Sequence, residues 1–275
     1  MKVLILGAKG NLGQEFVKLY HDHEVLAWDR AELDIADEAA VKQKITEVRP
    51  RLIINCAAYN AVDKAEEEQV LANDINGYAV GYIAVVASEL GATLVHFGSN
   101  YVFDGKSPEG YNEDDRPNPQ SAYAKSKLLG EMELTQYLDN FYLIRTSWLY
   151  GRSSEGKKSF VDIMLEKAKE PGELKLVSDE FASPTWTRDL AQATRALVEQ
   201  EKPFGVYHLV NNGSTSWHGW AEEIFTIKNL SVPTHEVSGE EFERKAKRPK
   251  YGILNNTKFI ELRPWTEALR EYLMS

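Results

Sequence analysis

Cysteine is almost missing. Its single occurrence, Cys56, rules out any intrachain disulfide and suits a reducing compartment. Long hydrophobic runs are missing as well. No stretch approaches 18 apolar residues, so no transmembrane helix is expected. The apolar run Val3 to Leu6 is too short for the core of a signal peptide, and the expected location is cytoplasmic. Positive charge is in deficit: 32 Lys and Arg against 42 Asp and Glu leave a formal charge of -10. That balance argues against nucleic acid or an anionic membrane surface as main partner. It leaves room for a small anionic ligand, which backbone amides and a few local cations can hold. Clustered metal ligands are lacking too. His21 and His23 flank Asp22 but have no second cluster, so they read as solvated polar residues and no metal is expected. Internal repeats and low-complexity segments are absent.

What is present is ordinary globular material, 43% hydrophobic and 27% charged over 275 residues. In the first half, short aliphatic runs at Lys2–Leu6, Glu24–Trp28, Leu52–Asn55, Thr93–Phe97 and Tyr142–Arg145 have the brevity and β-branching of buried strands. Amphipathic stretches lie between them, at residues 12–20, 39–48, 74–90 and 121–138. Strand and helix alternating in this way call for an α/β fold, a doubly wound parallel sheet with helices on both faces. Right-handed crossovers then bring the strand C-termini to one edge, where ligands bind. After Gly151 the pattern loosens. It shows helices near 159–169, 216–227 and 266–274, strand-like runs at 175–177 and 206–209, and a breaker at Glu170-Pro171-Gly172. The expected division is a dinucleotide-binding domain over residues 1–150 and a smaller substrate-binding lobe over 151–275, some of whose segments return to the first domain.

Gly7-Ala8-Lys9-Gly10-Asn11-Leu12-Gly13 follows the first strand and opens the first helix. Glycine permits a tight turn and a close backbone approach to a pyrophosphate, and a helix N-terminus offers free N–H groups to the phosphates. Strand, glycine loop and helix together predict a Rossmann-like site for NADPH or NADH. Asp29, ending the second strand, stands where a carboxylate takes a ribose 2′-hydroxyl, which favours NADH. Arg30 follows at once and can pair with a 2′-phosphate, which favours NADPH. The two neighbours point to opposite cofactors.

Tyr123 and Lys127 form Y-x-x-x-K on a predicted helix and share a face, whereas Lys125 points elsewhere. An ammonium about 4 Å from a phenol at an effective dielectric near 20 contributes on the order of 4 kcal/mol. That is roughly three pKa units, so Tyr123 is expected to be shifted towards neutrality and to donate a proton to a carbonyl oxygen. Ser99, at the end of the strand Thr93–Phe97, can hydrogen-bond the same carbonyl. Glycine loop, serine at a strand end, then Tyr/Lys on the next helix: this order resembles the short-chain dehydrogenase/reductase superfamily, and the length suits its extended, sugar-nucleotide branch.

Further segments sharpen the likeness. Leu33-Asp34-Ile35, Asn55-Cys56-Ala57-Ala58-Tyr59, residues 61–66, Tyr101–Gly105, Arg145-Thr146-Ser147-Trp148, Ser183-Pro184-Thr185 and Arg248-Pro249 look like dTDP-4-dehydrorhamnose reductases. The resemblance implies reduction of a dTDP-4-keto-6-deoxysugar to dTDP-L-rhamnose. It also implies Ser99, Tyr123 and Lys127 as the catalytic trio. Val62, Ser99, Asn100, Tyr101 and Trp148 would contact the sugar nucleotide. Gly7, Gly10, Asn11, Leu12, Gly13, Asp34, Ile35, Ala57, Ala58 and Tyr59 would line the cofactor, with Tyr123 and Lys127. Asn76 matches a family asparagine.

The chain departs from the family's S-T-D-Y-V-F-D-G, with Gly98 for Ser, Ser99 for Thr and Asn100 for Asp; Asn60 and Asn11 replace a usual Thr and Gln. Ser99 keeps the hydroxyl. Asn100 loses an acceptor-only group, which is expected to alter which sugar hydroxyls are read. Reduction or epimerisation of another nucleotide-linked 4-keto-sugar is therefore an alternative. A non-catalytic cofactor-binding subunit on the same scaffold is another, which the intact Ser99, Tyr123 and Lys127 oppose. Whether the chain is a monomer or a homodimer is not encoded in any motif. His96 and His208 read as buried hydrogen-bonded residues, and Trp217 and Trp220 as core of the small lobe. The basic run from Arg244 to Lys250 reads as a solvated charge run, with Arg248 a candidate for the substrate diphosphate.

Overall fold

The computed structural model describes residues 1–153 and 158–275. Its first unit runs β1 (Lys2–Leu6), α1 (Asn11–Leu19), β2 (Glu24–Trp28), α2 (Glu38–Val48), β3 (Leu52–Asn55), α3 (Gln69–Asn73), α4 (Ala79–Leu90), β4 (Thr93–Phe97), α5 (Ala122–Tyr137) and β5 (Phe141–Arg145). Then come β6 (Leu149–Tyr150), α6 (Phe160–Lys167), β7 (Leu174–Val177), β8 (Phe181–Ala182), β9 (Thr185–Trp186), α7 (Thr187–Glu199) and β10 (Gly205–His208). The chain closes with β11 (Asn211–Asn212), β12 (Thr215–Ser216), α8 (Trp217–Ile227), β13 (Thr234–Val237), β14 (Leu262–Pro264) and α9 (Trp265–Met274).

Six parallel strands form the central sheet in the order β10-β5-β4-β3-β1-β2. The chain leaves β1 for β2 on one side and returns to β3 on the other, so the glycine loop after β1 sits where the winding reverses. Side-chain alternation along each strand divides the core. Val3 and Ile5 face α1 and α7 with Leu52, Ile54 and Val95. Leu4 and Leu6 face α2, α4 and α5 with Ile53, Leu94 and Leu143. Both faces are covered, which is why the strands read as unbroken apolar runs rather than as alternation.

Helix α7 has no counterpart in the sequence reading. Its buried stripe is Leu190, Ala191, Thr194 and Leu197, and the small residues dilute the apolar signal. It packs on α1, and β10 joins the sheet beside β5, so two segments beyond residue 151 are built into the first unit. The smaller lobe has its own core of Tyr150, Val161, Trp220, Ile224, Trp265 and Leu269.

Another surprise concerns α3 and α4. A π-helical turn, Asp74–Tyr78, joins them into one helical run, Gln69–Leu90. At 22 residues it is long and apolar enough to cross a membrane by length and composition, though polar residues such as Asp74, Asn76 and Glu89 interrupt it. Its buried face packs against β4, α2 and α5, as the core helix of this fold. Its contact with α5 is close: a Cβ on Gly130 would lie 2.1 Å from the carbonyl oxygen of Asn76, so only glycine fits there.

Candidate active site

Strand β4 ends at Phe97, but its pairing with the β5 side continues. Gly98 N–H donates to Ile144 O at 2.8 Å and Asn100 N–H to Thr146 O at 3.0 Å. The two bonds hold Ser99 at the C-terminal edge of the sheet. There Ser99 caps a short 3-10 turn, Asn100–Val102, its Oγ accepting from Tyr101 N–H at 3.2 Å. Helix α5 starts beside it. Ser121 caps its first turn by accepting from Ala124 N–H, and Glu66 accepts from Ala122 N–H at 2.8 Å. Tyr123 thus emerges on the first turn, its phenol near enough to the Ser99 hydroxyl to be influenced by it.

One turn further, the Lys127 ammonium donates to Phe97 O at 2.7 Å. Ser99, Tyr123 and Lys127 are all buried, and the structure brings the three together. The expected acidification of Tyr123 does not appear, which corrects the sequence reading. Burial pushes the phenol up from its ordinary value, Ser99 moderates the rise, and the ammonium turns to the Phe97 carbonyl. Burial also holds Lys127 down to about 8, against the opposing carboxylate of Glu131. For each of the two groups, desolvation by burial outweighs the neighbour that opposes it.

Around the phenol, Tyr59, Val62 and Tyr101 pack with Ala65 and Ala122. The Tyr101 ring meets Tyr123 edge-on at 5.7 Å. Asn76 clamps the segment that carries Tyr59: it accepts from Tyr59 N–H, donates to Tyr59 O, and reaches Ser126 Oγ on α5 at 3.0 Å. A reason for the π-helical turn at Asn76 follows: it presents one carboxamide to two elements of the site at once.

Trp148 lies across the cleft with φ 42, a left-handed conformation that costs a bulky residue on the order of 1–2 kcal/mol. Stacking on Trp217 at a centroid distance of 3.7 Å holds it there. Asn100, next to Ser99, is 2% exposed, and its amide donates to Gly252 O at 2.9 Å, which ties the strand end to the C-terminal segment.

The glycine loop fits a dinucleotide. A Cβ on Gly13 would lie 2.2 Å from Gly7 O, and one on Gly7, at φ +70, would lie 2.7 Å from Ala57 N, so neither position admits a side chain. Gly10 caps α1 with no side-chain bond, so the loop ends on a helix N-terminus, the kind of site that receives phosphate oxygens. Leu12 and Ile35 are buried in the core, and Ala57 N–H donates to Asn55 Oδ1. Ala58 lies between Ala57 and Tyr59 on the segment that Asn76 clamps. Asp29 accepts from Arg30 N–H, while the Arg30 side chain, 78% exposed, pairs with Asp34 at 3.1 Å.

Three features escaped sequence reasoning. Glu131 and Arg145 form a buried bidentate pair, 2.7 Å at its shortest, against the rear of the site. Glu131 stands four residues after Lys127, a spacing that carried the signal. The basic run is also corrected. Arg244 pairs with Glu180, Lys245 with Glu67, and Arg248 with Asp63, so two of its arginines are largely buried ties between elements. Glu66 lies in the family-like segment 61–66, but its role as the acceptor at the start of α5 had no signal. His96 and His208 are buried and hydrogen-bonded, as expected. Trp220 is fully buried in the small lobe, and Trp217 packs against that core. Among the described residues no His, Cys, Asp and Glu group could hold a metal ion.

The family model described as RmlD substrate binding domain matches residues 1–275. The chain is 39% identical to the spore coat polysaccharide biosynthesis protein SpsK of Bacillus subtilis, over 99% of this chain and 96% of that one. It is similar to the crystal structure of a dTDP-4-dehydrorhamnose reductase from Clostridium acetobutylicum, with TM-score 0.95, 40% identity, and 100% and 99% coverage. A dTDP-4-dehydrorhamnose reductase from Bacillus anthracis, solved with NADP, superposes with TM-score 0.95 at 36% identity over 99% and 98% of the two chains.

Proposed function

This chain belongs to the dTDP-4-dehydrorhamnose reductase family, and we propose that it reduces the 4-keto group of dTDP-4-dehydro-L-rhamnose to give dTDP-L-rhamnose. The observation that carries the reading is the convergence of the buried Ser99, Tyr123 and Lys127 side chains at the C-terminal edge of the sheet, with Lys127 tied to Phe97 O. A carbonyl oxygen placed between the Ser99 and Tyr123 hydroxyls receives two hydrogen bonds, and its carbon faces the cleft beside the glycine loop.

Roles follow from position. Ser99 holds the C4 oxygen and polarises the carbonyl. Tyr123 donates its proton to that oxygen as negative charge develops there. Because burial raises its pKa, the phenol stays protonated and ready to donate at neutral pH. Lys127, one turn below, supplies positive charge behind the phenolate that remains. The reduced dinucleotide, when bound, supplies the hydride. Its pyrophosphate would lie on Gly7, Gly10, Asn11 and Gly13, and its ribose beside Asp29, Arg30 and Asp34, with Ala57, Ala58 and Tyr59 below the nicotinamide half. Exposed Arg30 is suited to a 2′-phosphate, so NADPH is the favoured cofactor and NADH the second. Val62, Tyr101 and Trp148 would receive the sugar. The cofactor falls to residues 1–150, whose edge also supplies Val62, Tyr101 and Trp148 to the sugar, while the rest of the sugar nucleotide falls chiefly to 151–275, in a cytoplasmic enzyme.

Purified protein given dTDP-4-dehydro-L-rhamnose and NADPH should consume the cofactor and yield dTDP-L-rhamnose. No turnover with that substrate, alongside turnover of another nucleotide-linked 4-keto-sugar, would reassign it.

A further inference from the structure

Glu180 and Trp217 are brought together by the short ladder of the small lobe. Ser216 on β12 pairs with Phe181 on β8 in antiparallel register, so the residues just outside that pair, Trp217 and Glu180, stand opposite each other. The Trp217 indole Nε1–H donates to Glu180 Oε2 at 3.2 Å. Arg244 grips the same carboxylate with both Nη atoms, at 2.5 Å to Oε1 and 3.2 Å to Oε2. Its Nη2 also donates to Gly239 O at 3.1 Å, and a Cβ on Gly239 would stand 2.5 Å from Glu180 Oε1. Glu180 is 8% exposed, so a buried carboxylate held by charge-assisted donors anchors the indole.

Trp148 stacks on the ring so fixed, with centroids 3.7 Å and planes 22° apart. Trp220 lies 5.8 Å from Trp148 and 5.7 Å from Trp217, so it sits beside the stacked pair and not beyond it. Among the described residues, no ring covers the other face of Trp148. Its left-handed backbone, at φ 42, persists only where the surroundings over-determine it, and Trp217 supplies that constraint. The corner borders the reacting edge. Thr146, two residues before Trp148, accepts from Asn100 N–H beside Ser99. The Tyr101 phenol, pushed up to about 12 by burial, also feels the charges of Arg248, Glu180 and Arg244, and its ring meets Tyr123 edge-on.

We propose that Glu180 and Trp217 are positioning residues for the sugar. Glu180 fixes the Trp217 indole, and Trp217 holds Trp148 with its uncovered face towards the hexose ring. The inference rests on the substrate reading given above, in which Trp148 receives the sugar, and extends it to two residues behind that ring. The electron-rich face of an indole attracts the C–H side of a pyranose, so the tilt of Trp148 sets how the keto carbon is offered to Tyr123.

Steady-state kinetics with dTDP-4-dehydro-L-rhamnose, together with inhibition by dTDP, which lacks the sugar, test the proposal. Trp217→Leu should lower kcat/KM for the sugar nucleotide on the order of 10-fold, through loss of the stack and release of Trp148. The inhibition constant of dTDP and the affinity for NADPH should stay within about twofold of wild type, which also reports that the variant is folded. Trp217→Phe keeps a stacking ring and should lose less. Glu180→Ala should behave like Trp217→Leu, and Glu180→Gln, which keeps an acceptor for the indole, should recover part of the loss. Equal losses for the sugar nucleotide and dTDP would make the pair a structural tie of the lobe, and unchanged kcat/KM would detach it from the sugar; either result overturns the proposal. Wild-type protein that binds NADPH and dTDP but does not turn over the 4-keto sugar would instead overturn the substrate reading itself, and this proposal with it.

Discussion

The ammonium of Lys127 donates to the carbonyl oxygen of Phe97 at 2.7 Å, tying the second turn of α5 to the end of β4 two residues before Ser99. The bond crosses from helix to sheet. Through it the helix carrying the phenol and the strand carrying the serine are held as one unit.

The first prediction concerns the cost of that amine. Burial holds Lys127 at about 8, below its ordinary 10.5. Between those values the unfolded chain binds more protons than the folded one, so this group makes stability rise with pH across the window. Below about 8 the charged amine is a burden on the order of 3 kcal/mol. Lys127→Met should therefore be more stable than wild type at pH 7, with the advantage shrinking towards pH 10.5. Urea melts at both pH values measure it. An advantage independent of pH would show that the amine is not the cause. Turnover in the wild type should fall as pH rises through about 8, where the charge behind the phenol is lost.

Tyr123→Phe keeps the ring packed against Tyr101 and removes only the hydroxyl. Its kcat should drop roughly 10²- to 10⁴-fold, with NADPH affinity retained. Ser99→Thr should keep most activity and Ser99→Ala should lose it, since the hydroxyl is the working group. Steady-state kinetics of the three variants decide this, and an active Tyr123→Phe enzyme would remove the phenol from the mechanism.

Glu131 and Arg145 are each 5% exposed. Glu131→Gln leaves a buried guanidinium with no opposing charge and should destabilise the fold by about 3–5 kcal/mol. Adding Arg145→Met should restore part of that loss. Chemical denaturation of both proteins tests the coupling; a double variant that loses the sum of the two single losses would show that the residues act independently.

Arg30 tests cofactor choice. Its guanidinium, held by exposed Asp34, stands at the end of β2. Arg30→Ala should raise the KM for NADPH roughly 10- to 100-fold, the range for hydrogen bonds to a charged group, and leave that for NADH nearly unchanged. Parallel KM measurements with both cofactors are sufficient, and an equal change in both would place Arg30 outside the 2′-phosphate site.

Periodicity and local motifs determined much of this protein unaided. Residues 2–6, 24–28, 52–55 and 93–97 are strands at the bounds their aliphatic runs predict, because both sheet faces are covered and the apolar signal is continuous. The glycine loop and Y-x-x-x-K were legible for a related reason: their chemistry depends on neighbours within one turn of chain. What depends on residues far apart waited for the tertiary structure. Asn100 meets Gly252, 152 positions away, and Arg248 finds Asp63 across 185. The acidity of Tyr123 moves opposite to expectation because the fold buries it and turns the amine elsewhere. Spacing along a helix specifies which side chains can meet; how deeply they are buried, and which distant carbonyl or carboxylate competes for them, is set only once the chain has packed.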